Sequence, residues 1–118
     1  MSYFSDEEFL CQHCHEKGIR EEIVDRLNAM REECGFPFVI SSGYRCSNHP
    51  IEARKSKPGA HAAGYAADIS VRNGYALAVI KSAMQNGIDR IGINQKGDAR
   101  FIHVDVDPDR PSPAVWSY

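Results

Sequence analysis

Two short segments of the sequence carry the side chains best suited to chemistry. The first runs from Phe101 to Val106, where apolar residues occupy every second position, as in a β-strand with one buried face. In such a strand His103 and Asp105 lie on the opposite face, about 7 Å apart by the rise per residue. A histidine and an aspartate on a strand face are more often a solvated pair than a ligand set, so this segment alone is a weak sign of a site.

The second segment, from His61 to Asp68, contains almost only small residues between its two polar ends. This composition favours a tight passage of the backbone, with Gly64 at a positive φ, that returns Asp68 to the neighbourhood of His61. The competing interpretation is the start of an alanine-rich helix, in which Asp68 serves as a cap. The spacing alone does not decide between the two.

Taken together, the segments offer two imidazoles and one carboxylate on defined elements. His61, Asp68 and His103 match the three protein ligands of a catalytic zinc site, which keeps a fourth position open. Zinc with these ligands retains a net charge of about +1 and lowers the pKa of a water molecule from about 9 toward 7. Other divalent ions accept the same ligands, so the choice of zinc is an inference. The combination predicts a hydrolytic metal centre.

The elements that must position these residues follow an α+β pattern. Helices are predicted over residues 6–10, 21–34 and 73–84, from capping residues and helical spacing of apolar residues. Strands are predicted over residues 37–41, 68–71, 88–93 and 101–106. Residues 43–60 are expected to form a long irregular loop, and the proline-containing tail is expected to be extended. The order predicts one domain over residues 1–118, with a small, mostly antiparallel sheet and flanking helices.

The charge balance gives no reason to expect a nucleic-acid partner. The chain has 118 residues, with 14 Lys and Arg against 16 Asp and Glu and a formal net charge of -2, whereas such a partner calls for a basic excess. No apolar run approaches the roughly 18 residues of a membrane span, so no membrane insertion is expected. The first residues lack the features of a signal peptide, which favours synthesis in the cytoplasm. We also expect a monomer.

Three blocks of the sequence follow one another in the order of a known family. They are Ser41-Ser42-Gly43-Tyr44-Arg45, His61-x-x-Gly64-x-Ala66-x-Asp68-Ile69 and Phe101-Ile102-His103-Val104-Asp105. The series resembles the signatures of the zinc D-Ala-D-Ala carboxypeptidase family of peptidoglycan peptidases. That family includes phage endolysins that cut the L-alanyl-D-glutamate bond, vancomycin-resistance dipeptidases and, as a structural relative, the hedgehog signalling domain. The resemblance covers about residues 4–118 and implies the small α+β hedgehog/DD-peptidase fold.

The resemblance also implies roles for individual residues. It makes His61, Asp68 and His103 the zinc ligands, and it places Arg45 over the carbonyl or carboxylate of the substrate. Several family members carry the general acid/base two or three residues before the last histidine ligand, where this chain has Phe101 and Arg100. The remaining candidates are Asp105 and Asp98. Asp105 is also a candidate to accept the free ring N–H of a ligand imidazole.

The implied function is a zinc metallopeptidase that hydrolyses peptidoglycan stem peptides, as a D,D-carboxypeptidase or as an L-Ala-D-Glu endopeptidase. The absence of a signal sequence and of a wall-binding segment fits a short phage-type endolysin, made in the cytoplasm and released to the cell wall through a holin. The alternative is a non-catalytic zinc-binding module of the same fold. The missing acid/base favours that alternative.

The cysteines permit more than one interpretation. Residues 11–15 read Cys-Gln-His-Cys-His, the form of a c-type haem attachment site. Haem attachment occurs in exported proteins, whereas the first residues favour synthesis in the cytoplasm without export. The second interpretation is that Cys11 and Cys14, with His15, Cys34 or Cys46, tie down the N-terminal segment through a structural metal or a redox-dependent bridge. The sequence favours the second interpretation.

Overall fold

The computed structural model describes residues 2–46, 48–54 and 59–118. Its helices are a 3-10 turn (Asp6–Phe9), α1 (Glu21–Cys34), α2 (Pro50–Ala53) and α3 (Asn73–Gln85). Its strands are β1 (Ile40–Ser42), β2 (Ala66–Ile69), β3 (Arg90–Asn94), β4 (Phe101–Asp105) and β5 (Ala114–Ser117). The strands form a five-stranded sheet in the order β1-β2-β4-β3-β5. The β3–β5 pair is parallel and the other pairs are antiparallel, which confirms the predicted α+β class with a mostly antiparallel sheet.

The hydrophobic core lies between one face of the sheet and the two long helices. In α1, Ile23, Leu27 and Met30 recur at helical spacing and are fully buried. The helix ends at Cys34, and Gly35 after it, with a φ of 74°, provides a left-handed C-cap. From the sheet, Ile102 joins the same buried cluster. This packing fixes one face of β4 against the helices and leaves its other face for chemistry.

Strands β1 and β3 begin two or three residues later than the predicted segments 37–41 and 88–93, and two other strands differ more from the prediction. The strand predicted over residues 68–71 is β2, two residues earlier. All four of its residues are buried, although residues 68–71 alternate polar and apolar side chains, which predicts a half-buried strand. The prediction is wrong because β2 is an inner strand, paired with β1 on one side and β4 on the other. The second difference is β5, which forms within the tail that was expected to be merely extended. Its parallel pairing with β3 is non-local and leaves no local sequence pattern.

The predicted loop over residues 43–60 contains one regular element. The short helix α2 follows His49, which caps it by accepting the backbone N–H of Ile51 at Nδ1, 3.2 Å away. Residues 47 and 55–58 of this predicted loop lie outside the described part of the chain. Among the residues that the structure does describe, no helix is both long and apolar enough to cross a membrane.

Candidate metal centre

One cross-strand row of the sheet organises the site. On the face of β4 that points away from the helices, His103 is directly opposite Asp68 of β2 and, on its other side, Gly92 of β3. Gly92 is in turn opposite Trp116 of β5. Residues in one such row stand next to each other, so the ladder itself brings Asp68 and His103 together.

A tight turn brings His61 to the same point. The turn after His61 closes with the N–H of Gly64 donating to the His61 carbonyl at 3.2 Å, and Gly64 has the predicted positive φ, 82°. A β-carbon on Gly64 would lie 2.1 Å from the carbonyl oxygen of Gly18, so no side chain fits there. The chain then enters β2 and reaches Asp68. Of the two interpretations of this segment, the turn is therefore correct and the helix start is wrong.

The three predicted ligands form a compact triangle of donor atoms. His61 Nε2 lies 3.2 Å from Asp68 Oδ1 and 3.2 Å from His103 Nδ1, and the third edge, from His103 Nδ1 to Asp68 Oδ1, is 3.0 Å. All three side chains are buried. A tetrahedral ion with bonds of about 2.0–2.1 Å to such donors would hold them roughly 3.3 Å apart. The triangle fits one face of that tetrahedron, so these residues could hold a metal ion.

Hydrogen bonds fix which ring nitrogen of each histidine faces the triangle. His61 Nδ1 lies 2.7 Å from the carbonyl oxygen of Gly43, which can only accept, so Nδ1 carries the proton and Nε2 presents a lone pair. His103 Nε2 lies 2.6 Å from Asp105 Oδ2, which leaves Nδ1 of that ring unprotonated when the ring is neutral. Such outer partners orient ligand imidazoles in metal sites.

Asp105 is itself held from several sides. It is fully buried, and its Oδ1 accepts the Nε–H of Arg90 at 2.7 Å and the backbone N–H of Asp107 at 3.2 Å. Arg90 lies opposite Asp105 across the β3–β4 ladder and also donates to the carbonyl of Pro111. The side chains of His103 and Asp105 thus converge to hydrogen-bond distance, although the sequence predicts about 7 Å along the strand.

Arg45 lies next to the triangle, beside Asp68. Its guanidinium lies 3.5 Å from Asp68 Oδ2 and 3.5 Å from Glu52 Oε2, and its Nε donates to Ser42 Oγ at 3.1 Å. Arg45 therefore engages the carboxylate oxygen of Asp68 that does not face the histidines. Glu52, which the sequence analysis did not single out, is buried and also accepts the backbone N–H of Gly59.

The electrostatics of the triangle favour a positive charge at its centre. Burial disfavours the charged form of Asp68, but hydrogen bonds with His103 and His61 hold the pKa of this carboxyl well below its ordinary value. Burial likewise opposes the charge on His103, yet Asp105 and Asp68 raise the pKa of its imidazole. Burial is also outweighed at Asp105, where His103 and Arg90 lower the pKa. A bound cation would supply the positive charge that these carboxylates stabilise.

The triangle lies in the wall of a cavity of about 500 Å³, within the size range of small-molecule ligand sites. Arg45 and Arg110 contribute positive charge to the lining, and Trp116 and Tyr118 contribute aromatic surface. The indole of Trp116 lies 5.2 Å from the ring of His103, centroid to centroid. It can take this position because Gly92 beneath it has no side chain; a β-carbon there would be 2.6 Å from Trp116 Nε1.

The family model described as Peptidase M15 matches residues 2–105 of the chain. The chain belongs to the peptidase M15 family. None of the curated proteins matches it. In this M15 chain the buried His61, Asp68 and His103 form the cluster that the resemblance implies as a metal site.

The other predicted site residues of this M15 peptidase chain have different surroundings. Arg45 and Asp105 line the cavity. Asp98 lies in the exposed connection between β3 and β4, where its carbonyl accepts a hydrogen bond from Arg72, and it is not part of the cavity lining. Sequence reasoning missed Arg90, Glu52 and Tyr118. For Arg90 the only signal in the sequence was its position in the strand predicted over residues 88–93, which precedes the strand of Asp105.

Proposed function

We propose that this chain is a zinc-dependent metallopeptidase that hydrolyses peptide bonds in peptidoglycan stem peptides. The observation that carries the proposal is the triangle of His61 Nε2, Asp68 Oδ1 and His103 Nδ1, with edges of 3.0–3.2 Å, in the wall of a cavity in a peptidase M15 chain. Two imidazoles and a carboxylate with one side open to a cavity are the ligand set of catalytic zinc sites.

When bound, the zinc ion would supply Lewis-acid activation of a water molecule and of the scissile carbonyl. The protein's part is to hold the donors at fixed positions. Arg90 holds Asp105, Asp105 holds the Nε2–H of His103, and His103 thereby presents Nδ1 to the centre. On the other side, the Gly43 carbonyl does the same for His61. Preorganised ligands lose little freedom on binding, which favours affinity and a constant geometry.

Arg45 is proposed to bind the substrate. Its side chain lines the cavity while Asp68 and Glu52 hold it in place. A guanidinium in that position can donate paired hydrogen bonds to a peptide carbonyl as negative charge develops on its oxygen, or to a carboxylate of the stem peptide. Arg110, at the same cavity, adds to the positive field that attracts such acidic peptides.

The sequence predicts two candidates for the general acid/base, Asp105 and Asp98, and we propose different roles for them. Both oxygens of Asp105 are engaged, so we propose that it acts through His103 as a positioning residue. Asp98 remains the predicted general acid/base, and its side chain would have to approach the cavity from the connection between β3 and β4. Burial raises the pKa of Tyr118 at the cavity, so its phenol keeps its proton at neutral pH and can donate a hydrogen bond.

The finer parts of the proposal rest on the family resemblance. They are a choice between D,D-carboxypeptidase and L-Ala-D-Glu endopeptidase activity, and action on the cell wall as a phage-type endolysin released through a holin. We also propose that the protein acts as a monomer, that its partner is a peptidoglycan stem peptide, and that it does not bind nucleic acid. The size of the cavity and its positive charge are compatible with a short acidic peptide.

The experiment is digestion of purified peptidoglycan with the zinc-loaded protein, followed by mass spectrometry of the released muropeptides. We expect one type of stem-peptide bond to be cut, with cleavage abolished by a chelator and restored by zinc. His103→Ala, checked for its fold by circular dichroism, should be inactive. Intact muropeptides after incubation with zinc-loaded wild type would contradict the proposal. That result would favour the non-catalytic zinc-binding module. The presence of Arg100 and Phe101 at the usual acid/base positions is the sequence feature in favour of that alternative.

A further inference from the structure

A second set of metal-ligating side chains lies outside the candidate metal centre. Cys11, Cys14 and Cys46 each place a sulfur atom within 4.8 Å of the other two. Cys11 and Cys46 are buried, and Cys14 is partly buried. The fourth cysteine, Cys34, is on α1, where its thiol contacts the carbonyl of Ala78 at 3.7 Å, and it is not part of this set.

The geometry of the three sulfur atoms suits a tetrahedral thiolate site. Zinc–sulfur bonds of about 2.3 Å in a tetrahedral site hold the sulfur atoms roughly 3.8 Å apart. A spread of no more than 4.8 Å therefore needs only a small contraction around an ion. Two residues separate Cys11 from Cys14, in a turn closed by the N–H of His15 donating to the Cys11 carbonyl at 2.7 Å. This is the ligand spacing of structural zinc sites.

The backbone around Cys11 is arranged to accept a thiolate. The N–H of Cys46 donates to Cys11 Sγ at 3.3 Å. Backbone N–H groups directed at a ligand sulfur stabilise its negative charge and orient it toward a metal ion.

We propose that Cys11, Cys14 and Cys46 bind a structural divalent cation, separate from the ion of the candidate metal centre. The soft thiolate ligands favour zinc as this cation. Thiolate ligands select zinc over harder divalent ions such as magnesium and calcium. A tetrahedral ion has a fourth position, and the donors nearest to it in sequence are the imidazoles of His13 and His15 on either side of Cys14.

The cluster discriminates against the two other uses of these cysteines. A c-type haem would engage Cys11, Cys14 and His15, and it gives no reason for a third sulfur from a distant loop. A disulfide would pair two of the three and leave the third as a thiol in the same cluster. A metal ion is the ligand that uses all three sulfur atoms at once.

This site would fasten the N-terminal segment to the loop that serves the candidate metal centre. Cys11 follows the 3-10 turn, and Cys46 follows Arg45 directly. The same two segments already meet where the N–H of Tyr44 donates to the Phe9 carbonyl at 3.0 Å. The segment of Cys46 also carries the Gly43 carbonyl that orients His61. An ion at the three cysteines would therefore hold in place the partner of His61 and the backbone of Arg45.

The test measures the zinc content of the full chain after zinc loading and dialysis. Cys14→Ser and Cys46→Ser each remove one of the thiolates, and Cys34→Ser is the matched control because its thiol lies outside the cluster. We expect about two equivalents of zinc in the wild type and in Cys34→Ser, and about one in the two other variants. A wild type with a single equivalent that Cys14→Ser leaves unchanged overturns the proposal.

A second measurement separates this site from the peptidase site. In the double variant His61→Ala with His103→Ala, cobalt(II) added in place of zinc should produce an intense near-ultraviolet sulfur-to-metal charge-transfer band. Adding Cys14→Ser to that variant should abolish the band, whereas adding Cys34→Ser should not. This readout does not depend on peptidase activity, so it holds or fails independently of the proposed function. The absence of a band in the double variant overturns the thiolate site.

Alkylation of the wild type covers the case in which a cysteine variant does not fold. With zinc bound, Cys11, Cys14 and Cys46 should react more slowly with iodoacetamide than in the presence of a chelator, and the rate at Cys34 should not change. Equal rates at the three cysteines in both conditions contradict the proposal. So does a disulfide among them in a non-reduced peptide map, or a Soret band in the purified protein.

Discussion

Asp68 and His103 face each other across the β2–β4 ladder, with Asp68 Oδ1 only 3.0 Å from His103 Nδ1. Neither atom is the natural hydrogen-bond partner of the other when the ring is neutral, because His103 already donates its Nε2–H to Asp105. Two acceptors at this distance require a cation between them or a proton on the ring. The raised pKa of His103 is the response of the protein without an ion, and a metal ion is the other response.

The first prediction concerns the charge of Asp68. Asp68→Asn keeps the size of the side chain and removes the negative charge from the triangle. Loss of a residue that only hydrogen-bonds to a metal ligand lowers metal affinity by roughly 10–100-fold, and we expect a larger fall in zinc affinity here. Hydrolysis of the cell wall should be lost as well. Competition with a chromophoric chelator measures the affinity. Normal zinc affinity in the variant would exclude Asp68 as a ligand.

The second prediction concerns Asp105 as a positioning residue. Asp105→Asn weakens the hold on the His103 ring, and we expect zinc affinity to fall by about 10–100-fold. The change also leaves Arg90 without its ionised partner, so the free energy of unfolding is expected to fall by a few kcal/mol, and affinity must be measured under conditions where the variant is folded.

Asp98→Asn is the matched control variant for zinc affinity, because Asp98 is exposed and does not line the cavity. Zinc affinity should not change in this variant. If Asp98 is the general acid/base, the rate of hydrolysis falls by about 10²–10⁴-fold while zinc remains bound. A fully active Asp98→Asn enzyme would remove Asp98 from the reaction.

The third prediction separates substrate binding from metal binding. Arg45→Lys retains a positive charge near Asp68 but loses the paired donors of the guanidinium. We expect zinc content to be preserved and hydrolysis to fall by about 10²-fold or more, the usual effect of losing a donor to a developing oxyanion. Arg100→Lys, whose side chain bonds the carbonyl of Gly97 outside the cavity, should keep wild-type activity. Equal activity of the two variants would argue against a substrate role for Arg45.

The fourth prediction follows from the raised pKa of His103. Burial works against the charged ring, but hydrogen bonds with Asp105 and Asp68 raise its pKa above the ordinary value of 6.5. A metal ion has to displace this proton from Nδ1, so acidification favours the proton and alkalinity favours the metal. Apparent zinc affinity should therefore decline already as pH falls through the range just above 6.5. Affinity that is constant from pH 8 to pH 6 would contradict the prediction.

The fifth prediction tests the aromatic wall of the cavity. Gly92→Ala places a β-carbon 2.6 Å from Trp116 Nε1, so the indole must move away from His103. We expect reduced hydrolysis with unchanged zinc content. Gly74→Ala is the control, because a β-carbon at Gly74 meets nothing within 4 Å. The same activity in both variants would show that the position of Trp116 is irrelevant to the reaction.

The sequence predicts those parts of the site that depend on local structure. His61 and Asp68 approach each other through a turn whose glycine is recognisable, and His103 is placed by the alternation within one strand. Arg90 and Trp116 were not predicted as site residues, because their positions depend on which strands pair and in what register. Trp116 in particular reaches His103 only through the parallel β3–β5 pair and the bare backbone of Gly92. Non-local register leaves no pattern in a single sequence.

The alternation within β4 has a consequence for how this protein tolerates change. Ile102 and Val104 are packed into the core, while His103 and Asp105 stand on the reverse of the same five-residue strand. A one-residue deletion or insertion within β4 would exchange the two sets, turning the imidazole toward the helices and an isoleucine toward the cavity. Such a change would remove both the stability and the activity of the protein. Substitutions of His103 or Asp105, by contrast, can alter the chemistry of the site while the hydrophobic core stays intact.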